Sequence, residues 1–65
     1  MSIYIIDITR NGEQMDHQHR SSIGQAVDYA DNSAILGELV TITEGYEAAD
    51  GAVDTNGVLM EYIMN

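Results

Sequence analysis

The stretch "SIYIIDIT", residues 2 to 9, with Asn11 and Gly12 just behind it, narrows the possible folds more than any other part of the chain. Tyr4, Ile6 and Ile8 fall on one side of an alternating pattern, and Ile3, Ile5 and Asp7 fall on the other. β-Branched isoleucine favours a pleated backbone, so the pattern predicts a strand. An Asn-Gly pair readily takes the positive φ angles of a two-residue hairpin turn. "EQMDHQHR" is therefore expected to return beside the first strand as a mostly polar edge strand.

At Ser22 the period changes. "SIGQ" has the form of a capping box, in which the Ser22 hydroxyl accepts from the Gln25 backbone while the Gln25 side chain reaches back. Ile23, Ala26, Val27 and Ala30 then recur at i, i+3, i+4, i+7, which predicts a helix of about ten residues ending at "DNS". A helix this short is marginal alone, so its stripe has to pack on the sheet. "AILGELVTIT" reads as a central strand with a bulge at Gly37. A second Asn-Gly, Asn56 and Gly57, predicts a hairpin between "AVDT" and "VLMEYIM". The expected order is β-β-α-β-β-β, one small antiparallel sheet with one helix packed on one face: a single compact acidic α+β domain over residues 1–65.

Composition limits how such a domain is held together and what it touches. A chain of 65 residues buries only about 60% of the surface that its unfolded form exposes. There is no cysteine to staple it, which fits a reducing cytosol. Apolar residues make up 45% of it, eight of them isoleucine, too many for a disordered chain despite a formal charge of -9. The opening segment lacks a basic flank, and Asp7 interrupts its apolar run, so neither a secretory leader nor a membrane span is expected.

Eleven acidic side chains stand against two arginines, Arg10 and Arg20, with no lysine. A surface of that sign repels nucleic-acid phosphates and anionic lipids and attracts basic surfaces, so no direct nucleic-acid or membrane partner is expected. The last 45 residues carry eight carboxylates and no arginine. "TEGYEAADGAVDTNG", residues 43 to 57, reads as a loop and hairpin forming a negatively charged contact surface, with Glu44, Glu47, Asp50 and Asp54 in a row and Tyr46 as an aromatic anchor. Asp28 and Asp31, on the helix face opposite the apolar stripe, extend that surface beside Tyr29, and Glu38 and Glu61 complete the candidate contact set. Solubility alone is served by mixed charge, whereas crowding one sign on a small domain costs stability. A cost of that kind suggests a use.

Other constellations are weaker. His17 and His19, two apart on a strand, project to one face, yet no cysteine or third ligand accompanies them, and exposed or structural histidines are the favoured reading. "DTNG" echoes the middle of a calcium loop, but the register puts Ala52 at position 1 and Ile63 at position 12, so the hairpin reading prevails. Ser21 and Ser22 are read as capping residues, with no nucleophile elbow in the sequence. The expectation is a protein that is not an enzyme and carries no cofactor and no metal.

Through "VDYADNS" and "TEGYEAADGAVD" the chain resembles the small, acidic, cysteine-free anti-CRISPR proteins encoded by phages, in particular those that inhibit type I interference complexes by imitating DNA. The resemblance implies an inhibitor in the cytoplasm of a bacterial host. It points to the type I-C complex and the positively charged site of its large Cas8 subunit, where foreign duplex and its PAM are recognised. It implies competition without turnover, with Tyr29, Tyr46 and Tyr62 as desolvated anchors. A monomer is expected ahead of a homodimer. The alternative is an interaction module that homodimerises through "VLMEYIMN", using Val58, Met60, Tyr62 and Met64 or Leu59 and Ile63.

Overall fold

In the computed structural model, which describes all 65 residues, the chain forms strand β1 (Ser2–Arg10), strand β2 (Glu13–Arg20), helix α1 (Ile23–Ser33), strand β3 (Leu39–Glu47) and strand β4 (Val53–Ile63). The strands make one antiparallel sheet in the order β2-β1-β3-β4, with the helix packed on one face, the α+β architecture read from the sequence. No helix is long and apolar enough to cross a membrane.

The first hairpin follows from its turn residues. Asn11 and Gly12 have φ of 53° and 81°, the pair of positive angles that suits the twist of flanking strands, and Arg10 pairs with Glu13 directly across them. Pleating then sends Ile6 and Ile8 of β1 and Ile42 and Val40 of β3 to the helix side as paired neighbours. With Ala26 and Ala30 of α1 they form a core of six buried residues, bordered by Tyr4, Val27, Tyr29, Ala34, Met60 and Tyr62. Two alanines at the contact let the helix lie close against four branched side chains. Ile23, the first residue of the expected stripe, is 40% exposed. At the helix start Ser22 Oγ accepts from Gln25 N at 3.2 Å, but the Gln25 side chain meets the Ser21 hydroxyl at 2.9 Å, so only half of the capping box forms.

The second half of the chain departs from the sequence reading in two places. The expected central strand begins at Leu39 and not at Ala34, and Gly37, with φ of 91°, lies in the loop before it, donating to Met64 O at 2.8 Å. More consequentially, "AVDT" and "VLMEYIM" are one strand, and four strands are found where five were expected. The turn falls at Ala48 to Ala52, where Asp50 Oδ1 accepts from Ala52 N at 3.0 Å and Gly51 has φ of 87°. Asp-Gly and Asn-Gly are both hairpin dipeptides, and the register decides between them. Turning at Asp50 and Gly51 extends β3 through Glu47 and pairs Thr43 with Val58 and Glu47 with Val53. Asn56 and Gly57 then become a bulge, with the positive φ of Gly57, 127°, absorbed inside the strand. Leu59 is the extra residue of a second bulge between the Ile42–Met60 and Thr43–Val58 pairs.

The sheet face away from the helix carries no covering layer. Gly45 sits there between Ile3 and Ile5, and a Cβ added to it would stand 3.2 Å from Asp54 O, 3.3 Å from Ile5 Cδ1 and 3.4 Å from Ile3 Cγ1. Valine is ordinarily favoured over glycine in a strand. Here Gly45→Val is expected to destabilise by about 1–3 kcal/mol through overpacking, read as a lowered urea midpoint at unchanged slope; a raised midpoint would show that the close approach does not hold in solution.

Candidate protein-binding surface

The carboxylates divide according to strand parity. Arg20, the last residue of β2, is level with Tyr4 and Glu44, so the β3–β4 hairpin runs on past the end of β2. Glu44, level with that end, and Tyr46 and Asp54 beyond it share the helix side of the sheet, with Tyr46 and Asp54 directly opposite each other across the strands. Tyr46 is 52% exposed. Asp50 occupies the turn. Glu47, opposite Val53, and Glu61, opposite Thr41, lie on the other side of the sheet. The row is thus not on one flank, as its spacing in sequence suggested: a pleated backbone sends neighbouring positions to opposite faces.

On the helix, Asp28 and Asp31 are both exposed, as the helical period predicts. Asp31 stands in the last turn, where the negative end of the helix disfavours it and where no basic residue compensates. Its Oδ1 accepts from the Tyr62 hydroxyl at 3.3 Å, and the Tyr62 phenol is pushed up, first by burial and then by the Asp31 charge. Tyr62 is consequently engaged with the helix and partly withdrawn from any partner.

Glu38 corrects the contact set. It is only 3% exposed, one of nine buried residues and the single charged one among them. Oε2 accepts from Arg10 Nη2 at 3.0 Å and Nε at 3.3 Å, while Oε1 accepts from Ile35 N at 2.7 Å. With both oxygens occupied beneath the loop before β3, Glu38 is a structural anchor and is removed from the candidate surface.

Tyr29 is also less free than its place in "VDYADNS" implied. Its hydroxyl donates to the Asp16 carboxylate, and the Arg20 guanidinium lies 4.4 Å from its ring centroid, within cation–π range. The Tyr29 hydrogen bond is the first cause holding the Asp16 carboxyl below its usual range, and Asp16 in turn is the first cause raising the Tyr29 phenol. Sequence reading missed this cluster, although the signal was present: Asp16, Gln18 and Arg20 share the parity that faces the helix. Arg20, Gln25, Asp28, Tyr29 and Asn32 line a depression of about 360 Å³ in which Asp28 is the sole carboxylate.

Both arginines are therefore committed, Arg10 to Glu38 and Arg20 to Tyr29, and neither neutralises the hairpin. His17 and His19 do share the helix-free face, where His17 Nδ1 meets Asp7 Oδ1 and Gln14 Nε2 donates to the same oxygen at 2.7 Å. No three His, Asp or Glu side chains come together in a way that suits a metal ion. What the geometry brings together is an acidic, aromatic hairpin (Glu44, Tyr46, Asp50 and Asp54), while on the helix Asp28 lies beside Arg20, and Asp31 beside Tyr62 toward the other end of β3. Comparison of the chain with family models, with curated proteins and with solved structures finds no match.

Proposed function

We propose that this protein acts by binding and not by catalysis, offering its acidic hairpin and helix to the cationic, nucleic-acid-binding groove of a partner protein and so keeping foreign DNA out. The resemblance to phage anti-CRISPR proteins makes a type I interference complex, through the PAM-reading large subunit of the type I-C system, the first target to test. The observation that carries this reading is the β3–β4 hairpin, where Glu44 and Asp54 share the helix side of the sheet with the exposed Tyr46, Asp50 occupies the turn, and none of the three carboxylates is ion-paired to an arginine. Such an arrangement couples electrostatic steering with an aromatic anchor. The long axis of 37 Å is comparable to one turn of duplex, about 34–36 Å.

Competition with a PAM-containing duplex for the purified complex tests it. The triple variant Glu44→Lys, Asp50→Lys and Asp54→Lys is expected to lose on the order of a hundredfold in apparent affinity, three reversals at about 1 kcal/mol each. The variant Glu47→Lys with Glu61→Lys, on the other side of the sheet, is expected to lose little. Binding of the unaltered protein should weaken steeply from about 50 to 500 mM salt as screening shortens. Equal losses in both variants would remove the assigned face, and failure to displace duplex at low salt would remove the target.

A further inference from the structure

β4 is the edge of the sheet and, at 11 residues, its longest strand. The helix lies over β1, β2 and β3 and does not approach the β4 backbone. No helix covers the outer row of β4 amide and carbonyl groups, which is interrupted by the bulges at Asn56–Gly57 and Leu59. Edge strands are commonly protected by lysine or proline, and this one has neither. It carries instead four exposed apolar side chains, Val53, Val58, Leu59 and Ile63. The opposite edge, β2, exposes a single one, Met15.

We propose that the β4 edge is the docking site for a second copy of this chain, with the two β4 strands pairing antiparallel about a twofold axis through Val58 and joining two four-stranded sheets into one. A second copy, and not an unrelated strand, is indicated by the self-complementarity of the sequence in this register. Val58 faces Val58 of the other copy, Val53 faces Ile63, Asp54 faces Tyr62 and Thr55 faces Glu61. No two carboxylates oppose each other. The faces agree as well: Val53, Thr55, Val58, Glu61 and Ile63 belong to the helix-free side, and Asp54 and Tyr62 to the helix side.

Neighbouring registers lose this match. A one-residue slip sets Val53 against Tyr62, or Asp54 against Ile63, pairing opposite faces. A two-residue slip one way sets Val53 against Glu61, and the other way sets Gly57, on the helix side, against Glu61 on the far side. The sequence reading preferred a monomer and held a homodimer through "VLMEYIMN" as its alternative; the merging of two expected strands into one lengthens that edge to Val53–Ile63 and supplies the register. This inference does not rest on the proposed function, although Asp54 belongs to both surfaces. Each copy carries a formal charge of -9, so self-association should tighten with salt, whereas binding to a basic partner should weaken.

Sedimentation equilibrium in about 0.5 M salt is expected to show, at micromolar concentrations, a species of twice the 7.1 kDa chain mass. Val58→Glu, at a position already 59% exposed, sets two carboxylates face to face and should weaken the dimer by on the order of a hundredfold without unfolding the chain. The absence of cysteine allows a cleaner probe. Directly opposed residues have Cα atoms about 4.5–5.5 Å apart, within the disulfide window of about 4.4–6.8 Å. Val58→Cys should therefore cross-link to itself under mild oxidation, whereas Val53→Cys, facing Ile63, should not. A monomer at every concentration and salt, cross-linking of Val53→Cys as fast as Val58→Cys, or an unchanged dimer in Val58→Glu would each overturn the proposal.

Discussion

Ile6→Ala is expected to leave a large fraction of the chain unfolded at 37 °C. Ile6 is fully buried, pairs with Ile42 across the two central strands and packs on Ala26 and Ala30. Truncating a branched core side chain costs about 2–5 kcal/mol, transfer and cavity terms together. A domain of this length has only about 3–10 kcal/mol in total. With six residues in the core there is little around Ile6 to collapse into the void. A melt followed by circular dichroism should show the midpoint lowered by roughly 10–25 °C. Leu36→Ala, at a position 78% exposed, should stay within about 0.5 kcal/mol of the parent. Similar midpoints for the two variants would mean that the cluster beneath the helix is not what holds the domain together.

The second large effect lies outside the apolar core. Glu38→Ala removes a buried carboxylate that accepts from Arg10 and from the Ile35 backbone at once. Breaking one partner of a buried pair costs about 3–5 kcal/mol when the other charge remains buried. Arg10 keeps 47% of its side chain exposed and regains water, which lowers the expectation to about 2–3 kcal/mol. Glu38→Gln retains an acceptor for Ile35 N and should recover part of that loss. Arg10→Ala combined with Glu38→Ala should cost less than the sum of the single changes, because each single variant already breaks the same contact. Additive losses in denaturant titrations would show that the two side chains act separately. The pair ties the end of β1 to the loop before β3, so its loss also frees the segment from Ala34 to Glu38 that follows the helix.

Glu38 shows where reading the chain alone fell short. In "AILGELVTIT" it is one acid among eleven, indistinguishable by type or spacing from those that face water. Its burial depends on Arg10, 28 residues away, and no local pattern reports that contact. The same holds for the acidic row: Glu44, Glu47, Asp50 and Asp54 are evenly spaced along the chain, yet pleating places Glu44 and Asp54 on one side and Glu47 on the other. Tyr29 and Tyr62 were legible as aromatic residues near acids, but not as hydroxyls already given to Asp16 and Asp31.

What the amino-acid sequence determined by itself were features set by a few adjacent residues. These are the alternation of Tyr4, Ile6 and Ile8, the left-handed pair Asn11 and Gly12, the Ser22 cap and the Ala26–Ala30 stripe, each governed by local sterics or periodicity. The tertiary structure alone decided between turn dipeptides of comparable local preference, making Asp50 and Gly51 the hairpin and Asn56 and Gly57 a bulge. The reason is that β4 gains most by pairing along all of β3, a sum over many distant contacts that outweighs a preference confined to two residues. That one choice produced the long edge strand, the projecting hairpin and the division of the acidic side chains between the two faces.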